Sequence, residues 1–199
     1  MKYIVILIGA GLVIAGTFFV AKARTMSLLT DHTSIFDDFE QTDSLWLFSD
    51  KIGAAAASGV ERAKVAIGGP LGLSAKEAVY FIAIQDQQGE RLSSACTYRV
   101  TGPPIDARWW SLTLYDSETQ HYIENPINRS SWNSVAIPKN EAGEWVLSVA
   151  AEAQDGAWLP SQADGDRDFE LTLRVYNPSA ATRAALPNIS LPKIERLSC

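Results

Sequence analysis

The chain has 199 residues, a length that suits one domain of ordinary size with a short additional segment. Apolar residues make up 47% of it and charged residues 20%, a balance typical of a protein that folds around a hydrophobic core and not of a disordered one. The net charge of −6 and the lack of any basic stripe argue against nucleic acid as a partner, because phosphate contacts need clustered Lys and Arg.

The chain begins with an apolar run from Tyr3 to Ala21 that contains no charged residue. As a helix this run would span about 28 Å, close to the thickness of the hydrocarbon core of a bilayer. We expect residues 1–24 to form a single-pass membrane anchor, with residues 3–21 in contact with the lipid bilayer. A signal peptide is the alternative, because Lys2 gives a basic start and Ala21-Lys22-Ala23 is similar to a small-x-small cleavage site.

The charges around this run do not fix its orientation. Lys2 precedes it while Lys22 and Arg24 follow it, which slightly favours a cytoplasmic body by the positive-inside rule. The two cysteines, Cys96 and Cys199, favour export, because an even pair in an exported protein suggests a disulfide. Such a bond would close a loop of about 100 residues and stabilise the fold by up to about 4–5 kcal/mol on the entropy model. Two unpaired thiols are the alternative.

Between the apolar run and the body of the protein lie two segments of different character. Residues 25–43 are polar and acidic and are predicted to be a linker. Residues 44–70 are predicted to be a helical segment that packs on the sheet, with one or two helices, because Leu45, Phe48 and Ile52 recur at helical spacing. Gly68-Gly69-Pro70 then ends the helical pattern.

After Ser74 the period of the apolar residues changes to two, which indicates strands. Strands are predicted over Ala78 to Gln85, Ala95 to Val100, Trp109 to Tyr115, His121 to Glu124, Ser134 to Ile137, Glu144 to Ala150, Phe169 to Tyr176 and Lys193 to Leu197. The first of these is apolar on both faces, which predicts a strand covered on both sides. Residues 71–199 are therefore expected to form a mainly β domain, an antiparallel β-sandwich of jelly-roll type.

Most patterns that would indicate a particular chemistry are missing from the sequence. Only His32 and His121 could serve as a catalytic base, and there is no G-x-S-x-G motif, so a serine hydrolase is not indicated. Asp164 to Asp168 superficially resembles a calcium loop, but Phe169 stands where an EF-hand needs glycine. We expect no metal site and no cofactor.

One set of aromatic, amide and charged residues could form a ligand site. It consists of Trp109, Tyr115, Asp116, Asn125, Asn128, Arg129, Trp158, Arg174 and Tyr176. Aromatic faces with amides and a fork-shaped Arg suit a sugar-like or planar acidic ligand. In the predicted strand Trp109 to Tyr115, the face with Trp110 would point into the core, which leaves Trp109 and Tyr115 on the other face. A second packing layer, and not a ligand platform, is the favoured interpretation of that face.

Several phrases of the sequence, taken in order, resemble a known bacterial family. They are Glu77-Ala78-Val79-Tyr80-Phe81, Asp86 with Gly89, Trp109 to Asp116, Asn125-Pro126-Ile127-Asn128-Arg129, Trp158-Leu159-Pro160 and Leu173 to Pro178. They are similar to the family named domain of unknown function 1214. The resemblance implies a β-sandwich and a location in the envelope, which favours an inner-membrane anchor with the body in the periplasm. It also implies a companion, domain of unknown function 1254, which we expect this chain to lack.

Three functions fit these observations. The favoured one is a membrane-anchored binding or accessory module of the bacterial envelope, since no recognisable catalytic motif indicates an enzyme. The second is an envelope hydrolase for a sugar-like or small acidic substrate, in which Asp116 or His121 would act with Arg174 near the loop from Asn125 to Arg129. The third is a structural partner of a separately encoded companion envelope protein.

Overall fold

The computed structural model describes residues 2–30, 39–49, 52, 54, 57–59, 62, 63, 73, 74, 76–161 and 165–199. Within these residues the chain forms two β-sheets from ten strands, numbered β1 to β10 in chain order, with helix α1 before them and helix α2 ahead of β10. The protein is therefore mainly β, as the alternation of apolar residues predicts.

Helix α1 spans Lys2–Thr30, so it contains the apolar run and continues into the predicted linker. Several of its large apolar side chains are between 63% and 70% exposed, namely Val13, Ile14, Phe18, Phe19 and Val20. Among the described residues, no helix combines the length and the apolar character that crossing a membrane requires.

The larger sheet has six strands in the order β1-β2-β3-β9-β5-β6, and all neighbours are antiparallel. The strands are β1 (Glu40–Gln41), β2 (Leu47–Ser49), β3 (Ala78–Ala83), β9 (Phe169–Pro178), β5 (Ala107–Asp116) and β6 (Ser131–Asn133). Strand β5 pairs with β9 from Ala107 opposite Pro178 to Asp116 opposite Phe169. These two long strands form the centre of the sheet.

The smaller sheet has the order β10-β4-β7-β8. The strands are β10 (Lys193–Ser198), β4 (Thr97–Gly102), β7 (Trp145–Ala150) and β8 (Trp158–Pro160). Strand β8 runs parallel to β7, so the prediction of a purely antiparallel arrangement is wrong at this edge. Residues 151–157 lead the chain back along β7 before β8 begins, and β8 therefore runs in the same direction as β7.

The inward faces of the two sheets share one hydrophobic core. Trp110, Leu112 and Leu114 are at most 2% exposed, as predicted for one face of β5. The Trp110 ring stacks on that of Trp145 in the smaller sheet, with centroids 5.0 Å apart. The ring of Tyr98 meets that of Phe169 edge to face at 5.7 Å. Side chains of both sheets thus pack directly against one another.

An indole group links the two sheets at each side of the pair. At one side, Trp46 Nε1 donates a hydrogen bond to the Pro192 carbonyl oxygen (2.7 Å), just before β10. At the other side, Trp132 Nε1 in β6 donates to the Trp158 carbonyl oxygen (2.9 Å) in β8. These bonds tie the edge strands of one sheet to those of the other.

A disulfide joins Cys96, which immediately precedes β4, to Cys199 at the end of the chain. The two cysteines are 103 residues apart in sequence. The bond holds the end of β10 against β4, and a loop of this length is expected to restrict the unfolded chain strongly.

The sequence prediction is wrong for the region before β3. Leu47–Ser49 was predicted as part of the helix of residues 44–70 but forms β2, paired with β3. Leu45 has a φ of 63°, which a right-handed helix does not contain. Strand β1 and the end of α1 both fall within the predicted linker of residues 25–43. Gly59, Arg62 and Ala63 are helical, and much of the remaining predicted helix lies outside the described residues.

Two short predicted strands are also absent from the described chain. His121 to Glu124 and Ser134 to Ile137 are not strands, and β6 lies between them at Ser131–Asn133. Helix α2 (Ala180–Ala184) follows β9, and Ser179 caps it because its Oγ accepts a hydrogen bond from the Thr182 N–H (3.1 Å).

Candidate functional site

The face of the larger sheet that points away from the core is polar along β5 and β9. Five of its side chains are between 2% and 6% exposed, namely Ser111, Thr113, Glu170, Thr172 and Arg174. We call these five residues the polar face. Burying hydroxyls and two ionisable groups on one sheet surface is unusual, because such groups need partners once they leave water. This makes the polar face the candidate functional site.

Arg174 lies in the middle of the sheet, opposite Ser111 on β5 and Tyr80 on β3. Its Nη2 donates a hydrogen bond to Tyr115 Oη (2.9 Å), and its guanidinium carbon lies 5.2 Å from the centre of the Tyr115 ring. Burial raises the pKa of Tyr115 to about 12, although the Arg174 charge opposes this. Tyr115 is therefore neutral at neutral pH and supplies no negative charge to Arg174.

Glu170 is the second ionisable group of the polar face. Gln120 Nε2 donates a hydrogen bond to Glu170 Oε2 (3.2 Å), and Thr172 Oγ1 lies 3.4 Å from Glu170 Oε1. Burial raises the pKa of Glu170 to about 7, against the lowering effect of both hydrogen bonds. Near neutral pH the protonated and ionised forms of this carboxyl group are therefore both populated.

An aromatic pair lies at each end of the polar face. Trp109 and Tyr176 have ring centroids 5.1 Å apart at one end, and Tyr115 stacks on Tyr122 at 5.1 Å at the other. Tyr122 is 60% exposed, while Trp109, Tyr115 and Tyr176 are half-buried. The polar face thus reaches the surface beside aromatic rings. Trp109 and Tyr115 each pack against another aromatic side chain of this protein, which agrees with a second packing layer.

A second group of predicted residues lies near the edge strands β6 and β8. The Arg129 guanidinium carbon is 4.1 Å from the centre of the Trp132 ring, whose Nε1 bonds the Trp158 backbone. Trp158 Nε1 donates in turn to the Ala150 carbonyl oxygen (3.0 Å). These contacts hold the edge strands together.

The two predicted amides shape the loop between β5 and β6. Asn125 Nδ2 donates to the carbonyl oxygens of Ile123 and Arg129, both at 3.0 Å, and Asn125 Oδ1 accepts from the Arg129 N–H (2.9 Å). Asn128 is exposed and has a φ of 49°, a conformation that Asn tolerates in turns. Both residues therefore have a structural role in the loop.

Asp116 stabilises the turn that follows β5. Its Oδ1 accepts hydrogen bonds from the N–H groups of Glu118 (3.0 Å) and Thr119 (2.8 Å), and Arg167 Nη1 lies 2.9 Å from Oδ2. Burial alone would raise the pKa of Asp116, but these hydrogen bonds outweigh it and hold the pKa below its ordinary value. Asp116 is thus an ionised turn residue at neutral pH.

The nine predicted site residues consequently fall into three places. Trp109, Tyr115, Arg174 and Tyr176 lie on the polar side of the larger sheet, the Asn125, Asn128, Arg129 and Trp158 group lies near β6 and β8, and Asp116 lies in its turn. The hydrolase alternative requires Asp116 or His121 to lie beside Arg174. Within the described chain, Arg174 instead contacts Tyr115, and Asp116 contacts Arg167. His121 is exposed.

Sequence reasoning missed most of the polar face. Ser111, Thr113, Glu170 and Thr172 were not among the predicted site residues. A signal was present in β3, whose apolar character on both faces predicts a cover on each side, and all six β3 residues are buried. Since β9 and β5 follow β3 in the same sheet, the same reasoning would have predicted that their polar side chains are also buried.

Metal ligands do not cluster in the described residues, where no three His, Cys, Asp or Glu side chains could together hold an ion. Asp168, from the segment that superficially resembles a calcium loop, pairs with Arg91 Nε at 2.8 Å. Asp164 lies outside the described residues.

The fold and the order of phrases in the sequence define a class of β-rich domain. Residues 77–180 match the family described as protein of unknown function (DUF1214), and the chain belongs to this family. The match begins just before β3 and ends at the start of α2, so it contains the whole polar face. No curated protein is similar enough to count as a relative.

Two solved structures are similar to this chain. The VPA0106 protein from Vibrio parahaemolyticus aligns with 74% of the chain at 21% identity and a TM-score of 0.57. An uncharacterised protein from Burkholderia cenocepacia aligns with 61% at 12% identity and a TM-score of 0.42. The present chain covers 39% of the Vibrio protein and 30% of the Burkholderia protein, well under half of either. The Vibrio likeness shows the fold alone.

Proposed function

We propose that this protein is a binding module of the bacterial envelope, tethered to the inner membrane by its N-terminal helix, with its body in the periplasm. The observation that carries the binding role is the polar face, which buries Arg174 and Glu170 with three hydroxyl-bearing side chains. A sheet surface that served only for packing would be more stable with apolar side chains there, because buried ionisable groups cost stability. Retaining them is typical of a binding surface.

Two observations support the proposed location. The disulfide between Cys96 and Cys199 suits an oxidising compartment such as the periplasm, since cytosolic thiols are kept reduced. The run from Tyr3 to Ala21 contains no charged residue, and its described side chains from Val13 to Val20 are exposed. Lipid would cover such side chains.

The proposal includes a finer description of the fold and a second role. The two sheets would form a β-sandwich of jelly-roll type, which carries the polar face on its outer side. A role as structural partner of a companion envelope protein is favoured by the length of the similar Vibrio protein, of which this chain covers 39%. Both roles place the body outside the cytoplasm.

A reporter fusion tests the proposed location. A phosphatase that becomes active only outside the cytoplasm is fused after Cys199 and expressed in a Gram-negative host. We expect an active reporter that fractionates with the inner membrane, and an inactive one when residues 2–24 are deleted. A full-length fusion without activity, beside a fluorescent fusion protein that shows normal expression, would overturn the proposed location.

A further inference from the structure

The charge of Arg174 is the least satisfied feature of the polar face. The ion pairs among the described residues join other side chains, namely Arg91 to Asp168, Arg99 to Glu195, Arg167 to Asp116 and Arg196 to Asp86. In that part of the chain, no carboxylate lies within ion-pairing distance of Arg174, although this residue is only 6% exposed. Since a guanidinium group stays charged in proteins, the position is costly unless an anion comes close.

Most N–H donors of the Arg174 guanidinium group have no hydrogen-bond acceptor among the described residues. A guanidinium group has five N–H donors, and among the described residues one hydrogen bond, to Tyr115 Oη, uses them. The Ser111 and Thr113 hydroxyls lie on the neighbouring strand of the same face and make no side-chain hydrogen bond within the described chain. Free donors of Arg174 and two hydroxyls therefore lie on one surface that is nearly closed to solvent, and none of them is among the fully buried polar atoms without a partner in the described chain.

Glu170 compensates the charge of Arg174 only in part, because the two charges interact at a distance and no ion pair joins them among the described residues. It lies four residues before Arg174 on β9, and its carboxyl oxygens are engaged by Gln120 and Thr172. Burial raises its pKa to about 7, so a large fraction of the carboxyl group is uncharged at neutral pH. Arg174 thus keeps a net positive charge in the middle of the face.

We propose that Arg174, with the Ser111 and Thr113 hydroxyls, binds the carboxylate of a small organic acid that has a flat apolar body. This inference rests on the proposed binding function and names its ligand class. The remaining guanidinium donors can form paired hydrogen bonds with a carboxylate, which are among the strongest that proteins make. The body of the acid lies beside Trp109 and Tyr176 or beside Tyr115 and Tyr122, the two aromatic pairs that reach the surface.

Calorimetry on the full chain in a non-ionic detergent tests this proposal with benzoate as the probe. Benzamide has the same shape without the charge, and phosphate has the charge without the flat body. We expect benzoate to bind at least about tenfold more tightly than either, since benzamide cannot form the charge-assisted pair and phosphate has no flat body to pack against the aromatic rings. Equal affinity for benzoate and benzamide, tighter binding of phosphate, or no benzoate binding at about 10 mM would each overturn the proposal.

Variants separate a binding role of Arg174 from a structural one. Arg174→Met is expected to lose the preference for benzoate over benzamide without a lower unfolding temperature, because it removes an uncompensated charge. Arg108→Met, at an exposed position on the neighbouring strand β5, should retain that preference. If Arg174→Met unfolds, Arg174→Lys keeps the charge without the fork and should still weaken benzoate binding. Unchanged benzoate binding in either folded Arg174 variant would contradict the proposed ligand class. The reporter fusion described above tests only the location of the protein, so the two proposals can fail separately.

Discussion

Glu170 illustrates how a single position links the fold to its pH dependence. Its side chain lies on the polar face of β9, where the residue is 2% exposed. Burial disfavours the ionised form more than the hydrogen bonds from Gln120 and Thr172 favour it, which raises the pKa from 4.5 to about 7. The folded protein therefore binds this proton more tightly than the unfolded chain does.

The consequence for stability has a definite sign. Below about pH 4.5 the carboxyl group is protonated in both states, and the contribution is fully present. Between about 4.5 and 7 the unfolded chain releases the proton first, so the free energy of unfolding falls as pH rises. Relative to Glu170→Gln, the wild-type protein should lose up to about 3 kcal/mol between pH 4 and pH 8, measured by urea unfolding. Parallel pH profiles for the two proteins would show that Glu170 is not buried as described.

At the level of single residues, the sequence shows which ionisable side chains are present but does not show what each of them does. Asp116 was a candidate for catalysis, yet its spacing to Thr119 is also that of a side chain that caps a turn, and that is its role here. Asp86, by contrast, lies in a turn with Gly89, which has a φ of 81°. The environments of Glu170 and Arg174 could not be predicted, because alternation assigns a side chain to a face without showing whether that face is covered.

Among the strands, β4 and β7 show how closely the core is packed. Gly102 at the end of β4 lies opposite Trp145 at the start of β7. A Cβ atom added at Gly102 would lie 2.0 Å from the Cε2 and Cζ2 atoms of the Trp145 ring. Trp145 is 2% exposed and stacks on Trp110, so its ring has little room to move.

Gly102→Ala should therefore destabilise the protein by about 2 kcal/mol or more, because a close-packed core does not accept the added methyl group. Urea unfolding measures the loss, and Thr101→Ala at the adjacent exposed position should cost about 1 kcal/mol at most. In a Trp145→Phe background the cost of Gly102→Ala should shrink, since the colliding ring atoms are gone. Equal costs in both backgrounds would mean that the two residues do not meet.

The sequence predicted the long strands well and the short ones poorly. Strands β5 and β9 are each ten residues long and show a clear period of two. Strand β2 has three residues, too few to show a period, and Leu45, Phe48 and Ile52 imitate helical spacing around it. Its pairing with β3 and the burial of Trp46 and Phe48 in the core decide its conformation. Strand β8 is equally short, which is why its parallel pairing could not be anticipated.

On the scale of the whole molecule, two sheets enclose one core and are fastened at their edges. Trp46 and Trp132 link the sheets by hydrogen bonds to Pro192 and Trp158, and the disulfide fixes the last strand. Packing between the sheets does not explain why the outer side of the larger sheet carries the five buried polar side chains of the polar face. The family match contains that face but gives it no activity, so the binding role depends on the chemistry of Arg174 and its neighbours.

The central claim, an exported body closed by a disulfide, is tested most directly by the state of its two thiols in intact cells. Cells are quenched with acid and denatured, and a maleimide that adds visible mass is applied before or after reduction. The account predicts that Cys96 and Cys199 react only after reduction, which gives two additions per chain. Two additions without any reductant, in cells whose periplasmic control proteins remain oxidised, would contradict it.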